Sequence, residues 1–416
     1  MKKLLCVLIG LALVTTMCVL VTACDEEETT TTTEASTDIS TDTTAAEASK
    51  GTIKIGHIRP ISGVMAMTSE RMTKAFDWAF EQVDYRVAGY DIEIVIGDSK
   101  GDPATAVDVA REMVESDGVA MLVGPTQGGE QMAVAGYASQ VGIPVLFTNP
   151  APFPCATPEF PWVVSAYGTE PQISSAMGVY CYDELGYKTV DILSSDFAPG
   201  RGFSAAFKAG FEGKGGTVNQ EIYAPYPTSD FSSYLTTLKD ADAVAAWTDG
   251  EQAIKLLTQY DELSVGERMP IVGIFHGSFL APFILSALDP AVAEAYVGTI
   301  VPTPYSPLLD TPENETFVAD FRAKFGSYPE DTDSGPYNGA SIIINALEAT
   351  GGDTTPETLL DALVAVDFPG PEGQIKFDPA TRSAIKSVYI AEVIKEGDEF
   401  IWNPIYTYED VPATGL

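Results

Sequence analysis

From Gly51 onward the chain alternates short apolar runs with longer amphipathic stretches, and that alternation restricts the fold more than any other feature. Thr52–Ile58 reads as a buried strand, Thr68–Val83 as an amphipathic helix and Asp91–Ile96 as the next strand. Pro103–Glu115, Val119–Val123, about Gly129–Ser139 and Ile143–Thr148 continue it as helix, strand, helix and strand. Strands linked by helical crossovers pair in parallel, so the order predicts a sheet with helices on both faces.

The Pro-rich segment Asn149–Pro161 interrupts this rhythm, which then restarts. Glu170–Leu185, Arg201–Glu212, Phe231–Leu238 and Glu251–Leu263 read as helices between the strands Thr189–Leu193, Val218–Tyr223, Ala243–Trp247 and Ile271–Ile274. Two βα blocks of similar length predict an α/β fold of two doubly wound parallel-sheet lobes. A length of 416 residues, too great for one ordinary core, agrees. After Val297 come the helical stretches Glu313–Phe325 and Tyr337–Ala349. The strand-rich segment from Gln374 to Tyr408 is too short for a lobe and is expected to complete sheets already built.

The N-terminus carries an address. Lys2 and Lys3 precede an uncharged, largely apolar run from Leu4 to Ala23, the pattern of a secretory signal. The run ends Val21-Thr22-Ala23-Cys24, which resembles the bacterial lipobox. That resemblance implies removal of residues 1–23 and a diacylglycerol on the Cys24 sulfur. An uncleaved membrane anchor is the alternative, because the run approaches the roughly 20 residues that span a bilayer. The cysteine stop, with no Lys or Arg after it, favours the lipoprotein. Both readings put the body outside the cytoplasm. Residues 24–50 then form the lipid-bearing Cys and an acidic, Thr-rich tether whose only large apolar residue is Ile39. Such a segment cannot bury enough surface to offset its chain entropy. Cys155 and Cys181 remain in the body, either as a disulfide or as two buried thiols.

Charge and motif content exclude several functions. A formal net charge of −36 cannot neutralise nucleic-acid phosphates and keeps the body soluble by self-repulsion. Two histidines, His57 and His276, are too few for a His-rich metal site and strain a His-dependent triad. No Walker loop, nucleophile elbow or zinc-protease helix occurs, so a binding protein without cofactor or metal is expected rather than an enzyme. A two-lobed transcription regulator is excluded by the signal sequence and by the lack of a basic N-terminal helix-turn-helix.

One family matches in residue order and spacing. The opening Ile53-Lys-Ile-Gly-His-Ile-Arg-Pro-Ile-Ser-Gly63 is followed by Gly97-Asp98 with Asp102-Pro103, Val123-Gly124-Pro125 and Gly142-Ile143-Pro144-Val145. Later come Leu185-Gly186-Tyr187, Asp230-Phe231-Ser232, Ser334-Gly335-Pro336-Tyr337 and Gly373-Gln374-Ile375-Lys376-Phe377-Asp378. Together they resemble the leucine/isoleucine/valine-type (type I) periplasmic binding proteins across essentially all of 51–416. The resemblance implies two lobes joined by three crossovers, closing on a small solute and docking as a monomer on an ABC permease. It would place 51–169 with 299–370 in lobe 1 and 170–298 with 371–416 in lobe 2.

Independently of family, an open parallel sheet binds ligands beyond the carboxyl ends of its strands. The candidates are Ile61, Ser62 and Gly63 with nearby Met67, then Thr126, Gln127, Gly128 and Gly129, then Asn149, Pro150 and Ala151 in the first block. In the second they are Asp196, Phe197, Trp247, Asp249, Phe275 and His276, with Tyr337 near a crossover. Free backbone N–H groups at Gly128 and Gly129 suit a carboxylate. Phe197, Trp247, Phe275 and Tyr337 could wall an apolar group, and Asp196 and Asp249 could accept from an ammonium. That describes an amino acid, branched-chain or aromatic-like. Amino-acid binders of the family, however, carry Ser where Gly128 stands, Thr near Ala151, Tyr near Pro199 and an acid in the Phe275-His276 loop. These departures leave an aromatic or other small organic acid or amide open, with Arg59 or Arg201 to meet an anion. They also leave open a sensory receptor not coupled to transport.

Overall fold

The computed structural model describes residues 48–63, 66–152, 157–275 and 279–416. The expected signal sequence, Cys24, nearly all of the tether, Cys155 and His276 therefore lie outside the described residues. Strand and helix alternate from the start: β1 (Thr52–Arg59), α1 (Ala66–Glu81), β2 (Arg86–Val87), β3 (Tyr90–Asp98) and α2 (Pro103–Glu112). Next come β4 (Met121–Val123), α3 (Gly128–Val141), β5 (Val145–Phe147) and β6 (Val163–Ser165). Pro103 opens α2, where a missing N–H is harmless, and Asp102 caps it by accepting from the Thr105 N–H at 2.8 Å. One π turn later the chain leaves at Gly118, whose φ of 70° a side chain would resist.

The second block holds α4 (Glu170–Asp183), β7 (Thr189–Asp196), α5 (Ala198–Gly213), β8 (Thr217–Pro225), α6 (Ser232–Leu235) and β9 (Ala243–Trp247). It closes with α7 (Glu251–Glu262), β10 (Ile271–Gly273), α8 (Pro282–Leu285) and α9 (Pro290–Glu294). The remainder is β11 (Ile300–Thr303), α10 (Pro312–Phe325), α11 (Asp331–Thr350), α12 (Pro356–Val364), β12 (Phe368–Gly370) and β13 (Gly373–Ile375). It ends with β14 (Phe377–Asp378), β15 (Ser383–Ala384), β16 (Lys386–Glu396) and β17 (Glu399–Val411).

These strands build two main sheets. The first runs β14-β15-β6-β5-β4-β1-β3-β2 and is parallel except at its edges. Successive β4 side chains point to opposite faces. Met121 and Val123 join a core with Phe76 and Leu347, whereas Leu122 joins another with Ala106 and Val134. Helices thus cover both faces. The second sheet, β10-β9-β7-β8, is wholly parallel. It shares a single core with the antiparallel sheet β11-β16-β17, in which Ile192, Phe207, Val301 and Val388 are fully buried.

Two expected boundaries move. β11 lies in the segment assigned to the first lobe, yet it pairs with β16, and Val301 packs into the second core. β14 and β15 lie in the segment assigned to the second lobe, yet Ser383 pairs with Ser165 and so extends the first sheet. The chain therefore passes between halves after β6, after β11 and after β15. Strands of two residues carry no readable alternation, so only their partners reveal which half owns them. Cys181 is a free thiol buried in the second core, where burial pushes its pKa up; Cys155, the other cysteine of the body, lies outside the described residues. No helix among the described residues is long and apolar enough to cross a membrane.

Candidate ligand-binding site

The ends of helices from both halves surround one cavity of about 70 Å³. That is several times the roughly 10–15 Å³ a single water needs. The first half supplies Thr68 and Met72 from α1, Thr126–Gly128 at the start of α3, Asn149 and Pro150 after β5, and Asp331 and Thr332 at the start of α11. Asn149 donates from Nδ2 to the Thr126 carbonyl at 3.2 Å, and Gln131 donates to the Pro125 carbonyl at 3.3 Å. The first joins the loops after β4 and β5, and the second ties α3 to the loop after β4.

The second half supplies an aromatic wall. Phe203 of α5 lies flat on Phe275, with ring centroids 4.0 Å apart and planes 5° from parallel. Trp247, at the end of β9, meets Phe203 edge-on at 5.0 Å and lies alongside Phe197 at 5.8 Å. Tyr226 backs Phe197 at 4.2 Å. Each ring pair adds about 0.5–1.5 kcal/mol beyond its burial, so the wall is preformed.

Charge in the cavity is one-sided. Glu170, Asp249 and Asp331 line it, and no Lys or Arg does so among the described residues. The nearby cation Arg71 is already committed: it grips Asp333 through Nε at 3.0 Å and Nη2 at 2.6 Å, and Glu330 at 3.0 Å. Burial, only partly opposed by Arg71, pushes the Glu330 carboxyl up to about 8. The buried Tyr167 phenol donates to Asp331 Oδ2 at 2.7 Å, and burial and that carboxylate hold its pKa far above the ordinary value. Tyr167 also lies 5.8 Å from the Nζ of Lys386, which pairs with Glu372 in the interior. Burial alone pushes the Glu170 carboxyl up to about 8.

Of the residues expected at the site, the cavity brings together Thr126, Gln127, Gly128, Asn149, Pro150, Phe197, Trp247, Asp249 and Phe275. Others lie elsewhere. Ser62 is exposed and donates to Asp98 at 2.7 Å. Gly129 faces Pro103, and Ala151 uses its backbone to bond Gly168 and Glu170. Tyr337 sits in the second turn of α11, packed on Trp78 and Phe317 and donating to Gln82 at 3.0 Å, away from the cavity. Asp196 pairs with Arg201 near the surface, and Arg59 does not reach the cavity. Met67 falls in the first turn of α1, but its side chain, like all of His276, lies outside what is described.

The sequence reading missed Thr68, Met72, Tyr167, Glu170, Pro199, Phe203, Asp331 and Thr332 as lining residues. Tyr167 and Glu170 follow β6, a strand hidden behind Pro-rich sequence. Asp331 opens α11, whose start was expected at Tyr337 because Pro336 reads as a helix boundary. Pro336 instead sits inside α11, so the residues before it form the helical turn that reaches the cavity.

Strand ends and helix starts of both halves thus converge on one cavity. The family described as Periplasmic binding protein matches residues 52–398. The chain belongs to the periplasmic binding protein family. The Leu/Ile/Val-binding protein homolog 6 of Brucella melitensis is 29% identical over 381 residues, covering 89% of this chain and 95% of the relative. An ABC transporter substrate-binding protein from Sphaerobacter thermophilus is 29% identical with a TM-score of 0.79, covering 86% of this chain and 98% of its own. An ABC transporter solute-binding protein from Rhodopseudomonas palustris in complex with 3,4-dihydroxybenzoic acid is 27% identical with a TM-score of 0.80, covering 87% and 98%. This periplasmic binding protein is thus a solute-binding protein of ABC transporters, and its relatives are substrate-binding proteins rather than enzymes. Proteins of this class bind small molecules and work with a membrane permease.

Proposed function

We propose that this protein captures a small amino acid with a branched-chain or aromatic side chain and delivers it to an ABC permease from outside the cytoplasm. The observation that carries this reading is the one-sided charge of the cavity. A helix N-terminus favours an anion by about 0.3–1 kcal/mol. A carboxylate about 5 Å away opposes the same anion by about 3 kcal/mol at an effective dielectric constant near 20. With three carboxyl groups and no Lys or Arg lining the cavity among the described residues, a purely anionic solute finds no countercharge there, even where Glu170 holds a proton. A zwitterion suits both ends, with its carboxylate at the backbone N–H groups around Gly128 and its ammonium toward Glu170, Asp249 and Asp331. Its side chain then meets Phe203, Trp247 and Phe275.

A second reading, an aromatic acid, is favoured by the same flat rings and by the dihydroxybenzoate-bound relative. Calorimetry at pH 7 with L-leucine, L-phenylalanine and 4-hydroxybenzoate separates the two. Binding of the hydroxybenzoate alone would replace the first reading with the second. The lipobox-like Cys24 supports attachment of the protein to the membrane by lipid. A Cys24→Ser variant is then expected in the soluble extracellular fraction, and membrane retention after proven signal cleavage would refute lipidation.

A further inference from the structure

Glu170 occupies an unusual place. It is the first residue of α4, directly after the chain leaves β6, so it belongs to a segment joining the halves. Its backbone is pinned there. The Glu170 N–H donates to the Ala151 carbonyl at 3.1 Å. The preceding Thr169 caps α4 by accepting from the Gln172 N–H at 3.3 Å, and its hydroxyl donates to the Ala413 carbonyl at 2.6 Å. Its side chain is 7% exposed and borders the cavity.

A glycine from each half borders that side chain, and the one on α5 makes room for it. A Cβ built on Gly202 of α5 would stand 2.0 Å from Oε2, and one on Gly128 of α3 would stand 3.4 Å from Oε1. Only the Gly202 side is space that a side chain would take from the carboxyl; at Gly128 a Cβ would touch Oε1 at ordinary contact distance and press instead on Pro152, at 2.8 Å. Among the described residues the carboxyl forms no ion pair and no side-chain hydrogen bond, unlike Asp331, which accepts from Tyr167. Among the described residues, the other charged or titratable groups lining this space are Asp331 from α11, Tyr167 before α4 and Asp249 before α7. None is a cation. Arg71 on α1 is held by Asp333 and Glu330.

We infer that Glu170 is the residue that selects for an ammonium-bearing solute, accepting the ligand's N–H donors in a niche that Gly128 and Gly202 close from opposite halves. The inference rests on the amino-acid reading and adds the group that reads the positive charge. It has a consequence the other carboxylates do not share. Burial pushes this carboxyl up to about 8, so near neutral pH it holds a proton in the empty protein. An arriving ammonium supplies the missing countercharge and expels that proton. Linkage then requires the affinity for an amino acid to rise by up to about tenfold per pH unit from pH 6 toward pH 8 and to level above it. An anionic aromatic acid requires the reverse, because it needs the proton to stay.

The test is calorimetry of the full folded body with L-leucine and L-phenylalanine at pH 6, 7 and 8, in buffers of different ionisation enthalpy. Release of close to one proton per ligand at pH 6–7, with affinity rising toward pH 8, is expected. Glu170→Gln should abolish the proton release and flatten the pH profile, and Gly202→Ala should lower affinity by pressing on the same carboxyl. The wild-type proton count needs no variant, so a poorly folding Glu170→Gln leaves the test intact. Tight amino-acid binding without proton release would overturn the role of Glu170 and leave the amino-acid reading standing. No binding of either amino acid, with 4-hydroxybenzoate bound more weakly as pH rises, would overturn both.

Discussion

The two sides of the cavity are built on opposite plans. The second half presents rings already packed on one another: Phe203 on Phe275, Trp247 against Phe203, and Phe197 against Tyr226. The first half presents helix starts, loop amides and Asp331, tied by hydrogen bonds rather than by packing. Rings fixed by their neighbours discriminate by shape and tolerate many apolar solutes. Hydrogen-bonding groups discriminate by charge and direction, because an unmatched one is left desolvated. On the proposed reading, one half would then set the size of the solute and the other its polarity.

Trp247→Ala attacks the ring side and should have the largest effect. It removes a buried ring that touches both Phe203 and Phe197, so a stability loss of about 3–5 kcal/mol is expected. Solute affinity should also fall by about 1–3 kcal/mol. Denaturant titration and calorimetry measure the two, and unchanged affinity would take the ring out of the site. The polar side and hinge are probed by pH. Glu170 has a folded pKa raised well above its unfolded value of about 4.5. The folded state therefore binds the extra proton between those values. Its stabilising contribution is complete below about pH 4.5 and is lost as pH rises toward 8, at up to about 1.4 kcal/mol per unit. Melting of the solute-free protein from pH 5 to 8 should show that decline, and Glu170→Gln should reduce it.

Tyr167→Phe is a finer probe, since it removes only the donor to Asp331. A loss of about 1.5–3 kcal/mol in stability is expected for a hydrogen bond to a charged group. A changed preference between leucine and 4-hydroxybenzoate would show that Asp331 meets the solute. The smallest effects should come from Ser62→Ala and Tyr337→Phe, which lie away from the cavity. Affinity within about 0.5 kcal/mol of wild type is expected for both. A larger change would mean that the polar side extends further than the cavity shows.

The same division explains what could be read from the sequence. Strands such as Ala243–Trp247 carry an apolar run ended by a ring, so the wall residues Phe197, Trp247 and Phe275 were legible as strand-end positions. Phe203 was not, because it lies a turn inside α5, where an aromatic reads as core. The polar side was legible where a strand led directly into it, at Gln127, Gly128, Asn149 and Pro150. It was lost where tertiary pairing decides. Asp331 depends on a helix turn that continues past Pro336, and Tyr167 and Glu170 depend on the short strand β6. Tyr337 was misplaced for the matching reason: moving the start of α11 back by two turns carries its ring into the cluster with Trp78 and Phe317.

The passage from β15 to β16 is a single residue, Ile385, whose N–H is itself bonded to the Lys376 carbonyl at 2.9 Å. A link that short has no slack to let one sheet slide past the other. Any parting of the halves must then be a swing about a pivot beside Ile385, in which atoms near the pivot barely travel and those far from it sweep the widest arc.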